Sequence, residues 1–214
     1  MSEKLEKVRK NKSIKAWVHQ HINDSYVNQA QKAGYRSRAA YKLLEIDAQD
    51  NIFHNAVTVV DLGCAPGSWS QVSLHKVGGN GRVIGVDLLG MQPLANLNFI
   101  QGDFTEQATL DKLLVSIEHR KVDLVISDMA PNLSGVKGVD QARGAYLIEL
   151  VLDFAKGYLK TNGHCVMKVF HGSEFDNLVK LARTMFTQVI IRKPEASRSK
   201  SSETYLLCKG KKLV

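Results

Sequence analysis

No apolar run approaches the roughly 20 residues that a membrane-spanning helix needs, so no membrane role is expected. Cysteine is scarce: Cys64, Cys165 and Cys208 stand far apart, and no C-x-x-C pair occurs. That pattern excludes a disulfide framework and a zinc ribbon, so no metal site is expected. It fits a reducing compartment, and a cytoplasmic protein is expected. The N-terminus lacks an apolar core segment and carries Glu3 and Glu6 among its lysines. This argues against a signal peptide and against an organellar transit peptide. Neither G-x-G-x-x-G nor G-x-x-x-x-G-K-[ST] is present, so the glycine signatures of dinucleotide and nucleoside-triphosphate sites are missing. There is no internal repeat.

What the chain does have is a strand, a glycine-rich turn and a helix in succession. The apolar run at Val57, Val59, Val60 and Leu62 ends in Asp61 and Gly63; Pro66 and Gly67 follow, and Ser68 opens a helix from Trp69 to Val77. This is the first unit of a doubly wound α/β sheet, whose ligands bind at the carboxyl ends of the strands. Glycine lets a ligand approach the backbone, and the helix start aims free N–H groups at the same place. The glycines are spaced G-x-x-x-G, which suits an adenosine ligand without a pyrophosphate.

The alternation continues. Strands are expected at 83–86, 97–100, 122–126, 164–170, 186–191 and 204–208. Helices are expected at 38–48 (capped by Ser37), 110–118, 140–159 and 174–185, with Thr161-Asn162-Gly163 turning the chain into the fifth strand. Strands separated by helices imply a largely parallel sheet. The last two strands have no helix between them, which suits an antiparallel closure. Residues 1–34 are polar and basic, with a weak helical signal at Lys15–His21, and Gly34 ends them. They are taken as an N-terminal arm, and 35–214 as one α/β domain.

Asp87, Asp103 and Asp128 each fall just past a strand's carboxyl end. Asp87 follows Gly63 at about the distance at which an acid hydrogen-bonds ribose hydroxyls in nucleotide-binding sheets. A carboxylate accepts from both vicinal hydroxyls. Asp103 can accept from an adenine amine. Any one of these acids alone would read as a helix cap; three in register read as a nucleoside pocket. Without a pyrophosphate loop, S-adenosylmethionine fits better than NAD or ATP.

Four charges sit where a core is expected. Lys168 interrupts the apolar strand His164–Phe170; Asp128 ends the neighbouring strand, Glu203 begins the last one, and Lys42 lies on the helix before the first. Burying a lysine is costly unless it is paired. Two cations and two anions together cancel, either as a structural ion-pair network or as a device for handling a hydroxyl proton. Lysine is ordinarily protonated at neutral pH. A base role therefore needs surroundings that disfavour the cation, as desolvation, Lys42 and a sulfonium do; Asp128 and Glu203 favour it. The residues leave open whether Lys168 is a general base or an orienting cation.

The net charge is +8. Basic residues crowd the first fifteen positions (Lys4 to Lys15), the late loop (Arg192, Lys193, Arg198, Lys200) and the C-terminus (Lys209, Lys211, Lys212). Clustered cations release counterions from phosphates, so a nucleic-acid partner is expected.

Taken together, Tyr41-Lys42-Leu43-Leu44-Glu45, Asp61-Leu62-Gly63-Cys64-Ala65-Pro66-Gly67-Ser68-Trp69, Ser127-Asp128-Met129-Ala130-Pro131-Asn132, Met167-Lys168-Val169-Phe170 and Ser197-Arg198-x-x-Ser201-x-Glu203-x-Tyr205 resemble the FtsJ/RrmJ ribose methyltransferases. The resemblance runs from about Tyr35 to Cys208. It implies a class I, Rossmann-like methyltransferase fold with a mostly parallel seven-stranded sheet and an antiparallel last strand. It also implies S-adenosylmethionine as cofactor and a catalytic tetrad of Lys42, Asp128, Lys168 and Glu203, with Lys168 as proton acceptor. Cofactor contacts fall on Gly67, Trp69, Asp87, Asp103 and Asp128. The implied reaction is methylation of a uridine 2′-hydroxyl in the A-loop of 23S ribosomal RNA, within the large (50S) subunit, by a monomer.

Other activities fit less well. An adenine N-methyltransferase would carry Asn/Asp-Pro-Pro-aromatic where this chain has Asp128-Met129-Ala130-Pro131. A pyrimidine C5-methyltransferase needs a nucleophilic cysteine, whereas Cys165 and Cys208 lie in strands and Cys64 in the cofactor loop. A noncatalytic RNA-binding assembly factor would not need the four charges, and a dehydrogenase would need NAD. His171, after the fifth strand, reads as a solvated loop residue.

Overall fold

The computed structural model describes residues 24–132, 134–198 and 201–213. The basic cluster of the first fifteen residues, the helical signal at 15–21 and Lys200 lie outside them. The element order is α1 (Ser25–Lys32), α2 (Ala39–Asp50), β1 (Thr58–Leu62), α3 (Ser68–Val77), β2 (Arg82–Asp87), β3 (Leu97–Gln101), α4 (Gln107–Ser116), β4 (Val122–Ser127), α5 (Lys137–Tyr158), β5 (Leu159–Phe170), α6 (Phe175–Met185), β6 (Phe186–Arg192) and β7 (Glu203–Lys211).

The seven strands form one sheet in the order β3-β2-β1-β4-β5-β7-β6. The pairs β3–β2, β2–β1, β1–β4 and β4–β5 are parallel; β7 lies antiparallel between β5 and β6. The strand order reverses beside β1, which is where ligand crevices open in such sheets. Strand side chains alternate between faces, so Val60 and Leu62 join a core with α4, α5 and α6, while Val59 packs with Leu43 and Ile46 of α2 and Trp69 and Val72 of α3. The sheet is thus covered on both faces, the condition a parallel sheet requires.

Several elements differ from the sequence reading: α4, expected at 110–118, runs Gln107–Ser116, and β7, expected at 204–208, runs Glu203–Lys211. Three further differences have a visible cause. α1 was not anticipated as a helix: it is polar, and only Val27 and Ala30 are buried. Its start is fixed by Asp24, whose side chain accepts from Tyr26 N at 3.0 Å, and Tyr26 packs on Tyr41 of α2 with ring centroids 5.5 Å apart. β5 begins at Leu159, because Thr161-Asn162-Gly163 is absorbed as a register shift within the strand, with Asn162 at φ 63°. α5 begins at Lys137, because Asp140 lies in its first turn and accepts from the Ser134 and Gly135 amides at 2.7 and 3.1 Å.

Candidate active site

The carboxyl ends of β1, β2, β3 and β4 border a cleft of about 670 Å³, lined by Gly63, Asp87, Asp103, Asp128 and Tyr146 among others. The three acids singled out by spacing therefore meet in one place. Asp87 accepts from Ala65 N and Leu89 N, both at 2.8 Å, and Asp103 accepts from Thr105 N at 2.9 Å. These backbone bonds orient carboxylates that keep spare lone pairs for a ligand. At Gly63 the chain turns with φ +76°, and a Cβ there would come within 2.4 Å of the Met129 side chain. Glycine is required for this turn to close against β4.

The four charges also meet. Lys168 Nζ lies 3.1 Å from Asp128 Oδ1 and donates to the Asp128 carbonyl at 2.5 Å. Lys42 Nζ lies 2.6 Å from Glu203 Oε1. All four side chains are mostly covered, from 9% exposed for Lys168 to 20% for Asp128. Burial by itself would raise Glu203; the charge and hydrogen bond of Lys42, with smaller help from Ser197 and Lys168, outweigh it and hold the carboxyl below its usual range. Ser197 acts on Glu203 from close by without full hydrogen-bond geometry, since its buried hydroxyl has no such partner among the described residues.

Tyr205 ties the two pairs together, a role the sequence reading did not assign. It is the cross-strand partner of Lys168 and fully buried, and its hydroxyl donates to Asp128 Oδ1 at 2.8 Å. Its ring lies 5.7 Å from Lys42 Nζ. Burial, then Asp128, pushes its phenol far up, so it stays protonated and can only donate to Asp128. Position along β7, two residues past Glu203 on the same face, is the signal that would have found it.

The profile of the FtsJ-like methyltransferases matches residues 35–211. A ribosomal RNA large subunit methyltransferase E from Methylobacillus flagellatus is 52% identical over 200 residues, covering 94% of this chain and 97% of the relative. One from Legionella pneumophila is 51% identical over 203 residues, covering 95% and 98%. The chain belongs to the FtsJ-like methyltransferase family. Among solved structures, a ribosomal RNA methyltransferase from Plasmodium falciparum is 34% identical, with a TM-score of 0.73 over 83% of this chain and 98% of that one. Aeropyrum pernix fibrillarin, solved with S-adenosylmethionine, shares the fold alone: TM-score 0.55, 16% identity, 81% and 75% covered.

Two other residues assigned to the family's cofactor site stand apart from the cleft lining. Gly67 caps α3 at φ +109°, and a Cβ there would meet Arg36 Nη1 at 2.9 Å. Trp69 is 2% exposed; its indole N–H donates to Ala39 O at 2.8 Å, and its ring lies 5.6 Å from that of Tyr205. In this structure Trp69 anchors α3 to α2 and backs the tetrad. Arg36, which drew no attention as one more basic residue, bonds the carbonyls of Pro66, Gln92 and Pro93 at 2.7 to 2.9 Å. It clamps the β1–α3 turn to the segment after β2. The three thiols are buried and all pushed up by burial, so none is poised as a thiolate.

Asp61 lies beneath the same turn and is fully buried. Its Oδ2 accepts from Ser70 Oγ at 2.6 Å, while Oδ1 has no partner among the described residues. Burial, opposed by the Ser70 hydroxyl and reinforced by Asp128 and Asp87, pushes the carboxyl up to about 7. The folded chain therefore keeps a proton that the unfolded chain loses near pH 4. Folding stability falls as pH rises from about 4 to about 7 and then levels, by roughly 4 kcal/mol at most at about 1.4 kcal/mol per pKa unit. Asp61→Asn should remove this slope, so its gain in melting temperature over the parent should be larger at pH 8 than at pH 5. An equal difference at both pH values would overturn the assignment.

Proposed function

We propose that the protein methylates the ribose 2′-hydroxyl of a uridine in the A-loop of 23S ribosomal RNA, using S-adenosylmethionine, within the large (50S) subunit. The observation that carries this reading is the buried Lys168–Asp128 and Lys42–Glu203 arrangement, joined through Asp128 to a cleft rimmed by three carboxylates. The names of the relatives, ribosomal RNA large subunit methyltransferases, support the substrate. The net charge of +8 supports a polyanionic partner, with the basic arm 1–34 adding to the RNA surface of domain 35–214. The protein is read as a cytoplasmic monomer.

The cleft fits the cofactor by its donor set. Asp87 would hold the ribose hydroxyls and Asp103 the adenine amine. Asp128, Gly67 and Trp69 would position the methionine end, Trp69 by backing the wall. S-adenosylmethionine supplies an electrophilic methyl carbon there. Lys168, held by both the carboxylate and the carbonyl of Asp128, would meet the acceptor hydroxyl, taking its proton as a base or stabilising the nascent alkoxide as a cation. Lys42 and Glu203 balance the charge and orient the acceptor. Since the displacement is in-line, positioning supplies much of the rate.

The test supplies methyl-labelled S-adenosylmethionine with free 23S RNA and, separately, with undermethylated large subunits. Nuclease mapping should place the label on a uridine ribose, with faster transfer to the subunits. Label on a base would overturn the proposal.

A further inference from the structure

A second cavity, of about 460 Å³, lies on the other side of the β4 exit segment, between the start of α5 and the β5–α6 connection. Among the described residues, Ala130 and Pro131 line both it and the acid-rimmed cleft. Those residues form a partition directly after Asp128. Pro131, Gly144, Ile148 and Phe170 also line a narrow gap that reaches Lys168. The cavity thus lies beside the strand ends that carry Asp128 and Lys168.

We infer that this cavity is a subsite for the pyrimidine base of the acceptor nucleotide, stacked on the His171–Phe175 wall and hydrogen-bonded by the Gln141 amide. The inference rests on the ribose-methyltransferase reading above and adds to it how the base is held. Enzymes that act on RNA take bases out of the stack, seat them on aromatic rings and read their edges by hydrogen bonds. The wall has that form: the His171 and Phe175 rings are stacked, with centroids 4.3 Å apart and planes at 25°. His171 is exposed, as the sequence implied, yet fixed. Its backbone N–H bonds Ser202 O and its Nε2 meets Thr204 Oγ1, each at 3.4 Å. Because Phe170 pairs with Glu203 across the sheet, this wall begins one residue beyond the tetrad.

The polar groups favour a neutral, planar occupant. Gln141 lies against Gly172, where a Cβ would come within 2.8 Å of its Nε2, so the glycine keeps room for the amide. An amide offers a donor and an acceptor side by side, and turning it over lets it match the edge of either pyrimidine. Asp140 and Glu174 stand at the same cavity and oppose a phosphate, against Lys137 as the single cation among the described lining residues. A volume of this size is also within the range of small-molecule sites.

The test measures kcat and KM for undermethylated large subunits, and S-adenosylmethionine affinity by calorimetry, in His171→Ala, His171→Phe and Gln141→Ala. His171→Ala and Gln141→Ala should lower kcat/KM for the subunits about ten- to a hundredfold, the range expected for one lost stacking partner or one polar group left unpaired. Cofactor affinity should stay within about twofold. His171→Phe, which keeps an aromatic face, should recover most of the loss. Unchanged kcat/KM in both alanine variants, while the parent still labels a ribose, would overturn this subsite and leave the reaction standing. A fall in cofactor affinity that matches the fall in kcat/KM would also overturn it, as would failure of His171→Phe to recover. If the parent labels no ribose at all, the reading on which the inference rests fails first.

Discussion

Lys168→Ala should lose at least about a thousandfold in kcat on large subunits while binding S-adenosylmethionine within about threefold of the parent. The magnitude is that of removing a positioned proton acceptor or an electrostatic stabiliser at a developing oxyanion. The split follows from geometry. On the proposed reading Lys168 serves the acceptor, and it is absent from the described residues that line the donor cleft. Its ammonium spends its hydrogen bonds on Asp128, at 2.5 Å to the carbonyl and 3.1 Å to the carboxylate. Truncating it removes nothing that faces the cofactor. Single-turnover transfer and calorimetry check the two halves separately. Turnover equal to the parent's would remove Lys168 from the mechanism. Lys168→Arg separates the two chemical roles. A guanidinium keeps the charge and does not give up its proton. If Lys168 accepts the proton, the arginine variant should fall as far as the alanine variant; if it only orients, much of the rate should return.

The parts of this site that were legible in the sequence are those where a residue type conflicts with its surroundings. A lysine within His164-Cys-Val-Met-Lys-Val-Phe170 has no reason to lie in a buried strand unless it is paired, so Lys168 announced itself and pointed to Asp128. The three acids were legible for a related reason: parallel strands of similar length bring their carboxyl ends to one edge, so Asp87, Asp103 and Asp128 had to converge once β2, β3 and β4 were located. The antiparallel closing strand followed from the missing helix between β6 and β7.

Residues whose types agree with their surroundings stayed hidden. A tyrosine is ordinary in a strand, so Tyr205 did not show that its hydroxyl holds Asp128; only the register that sets it opposite Lys168 does. Arg36 was one cation in a basic stretch, and its three carbonyl partners lie 30 to 57 residues away in sequence. Trp69 was given a cofactor contact by the family resemblance alone, and its ring is turned inward against Tyr205. In β5 a turn-like tripeptide was accommodated by a local register shift, because pairing with β4 resumes at His164. Long-range partners, not local propensity, decided each of these.

On the proposed mechanism Asp128 is where the donor and acceptor sides join, and its replacement should be the most revealing after that of Lys168. The carboxylate lines the donor cleft, pairs with Lys168 and accepts from the Tyr205 hydroxyl. Asp128→Asn keeps the shape and an oxygen that can accept from Tyr205, but it removes the negative charge beside a lysine only 9% exposed. Asp128→Ala removes the hydrogen bond as well, leaving Lys168 held by the backbone carbonyl alone. Breaking a buried pair by deleting one partner costs about 3–5 kcal/mol when the other charge is left uncompensated. The alanine variant should therefore melt at a lower temperature than the asparagine variant. Both should lose about a hundred- to a thousandfold in kcat, because Lys168 is no longer oriented by a charge. Unlike Lys168→Ala, both should also weaken S-adenosylmethionine binding, by about tenfold, because Asp128 faces the donor as well. Denaturation midpoints, calorimetry and single-turnover rates resolve the three effects. Full turnover in Asp128→Asn would mean that hydrogen bonding alone, without charge, positions Lys168. Unweakened cofactor binding in both variants would mean that Asp128 serves only the acceptor side of the partition.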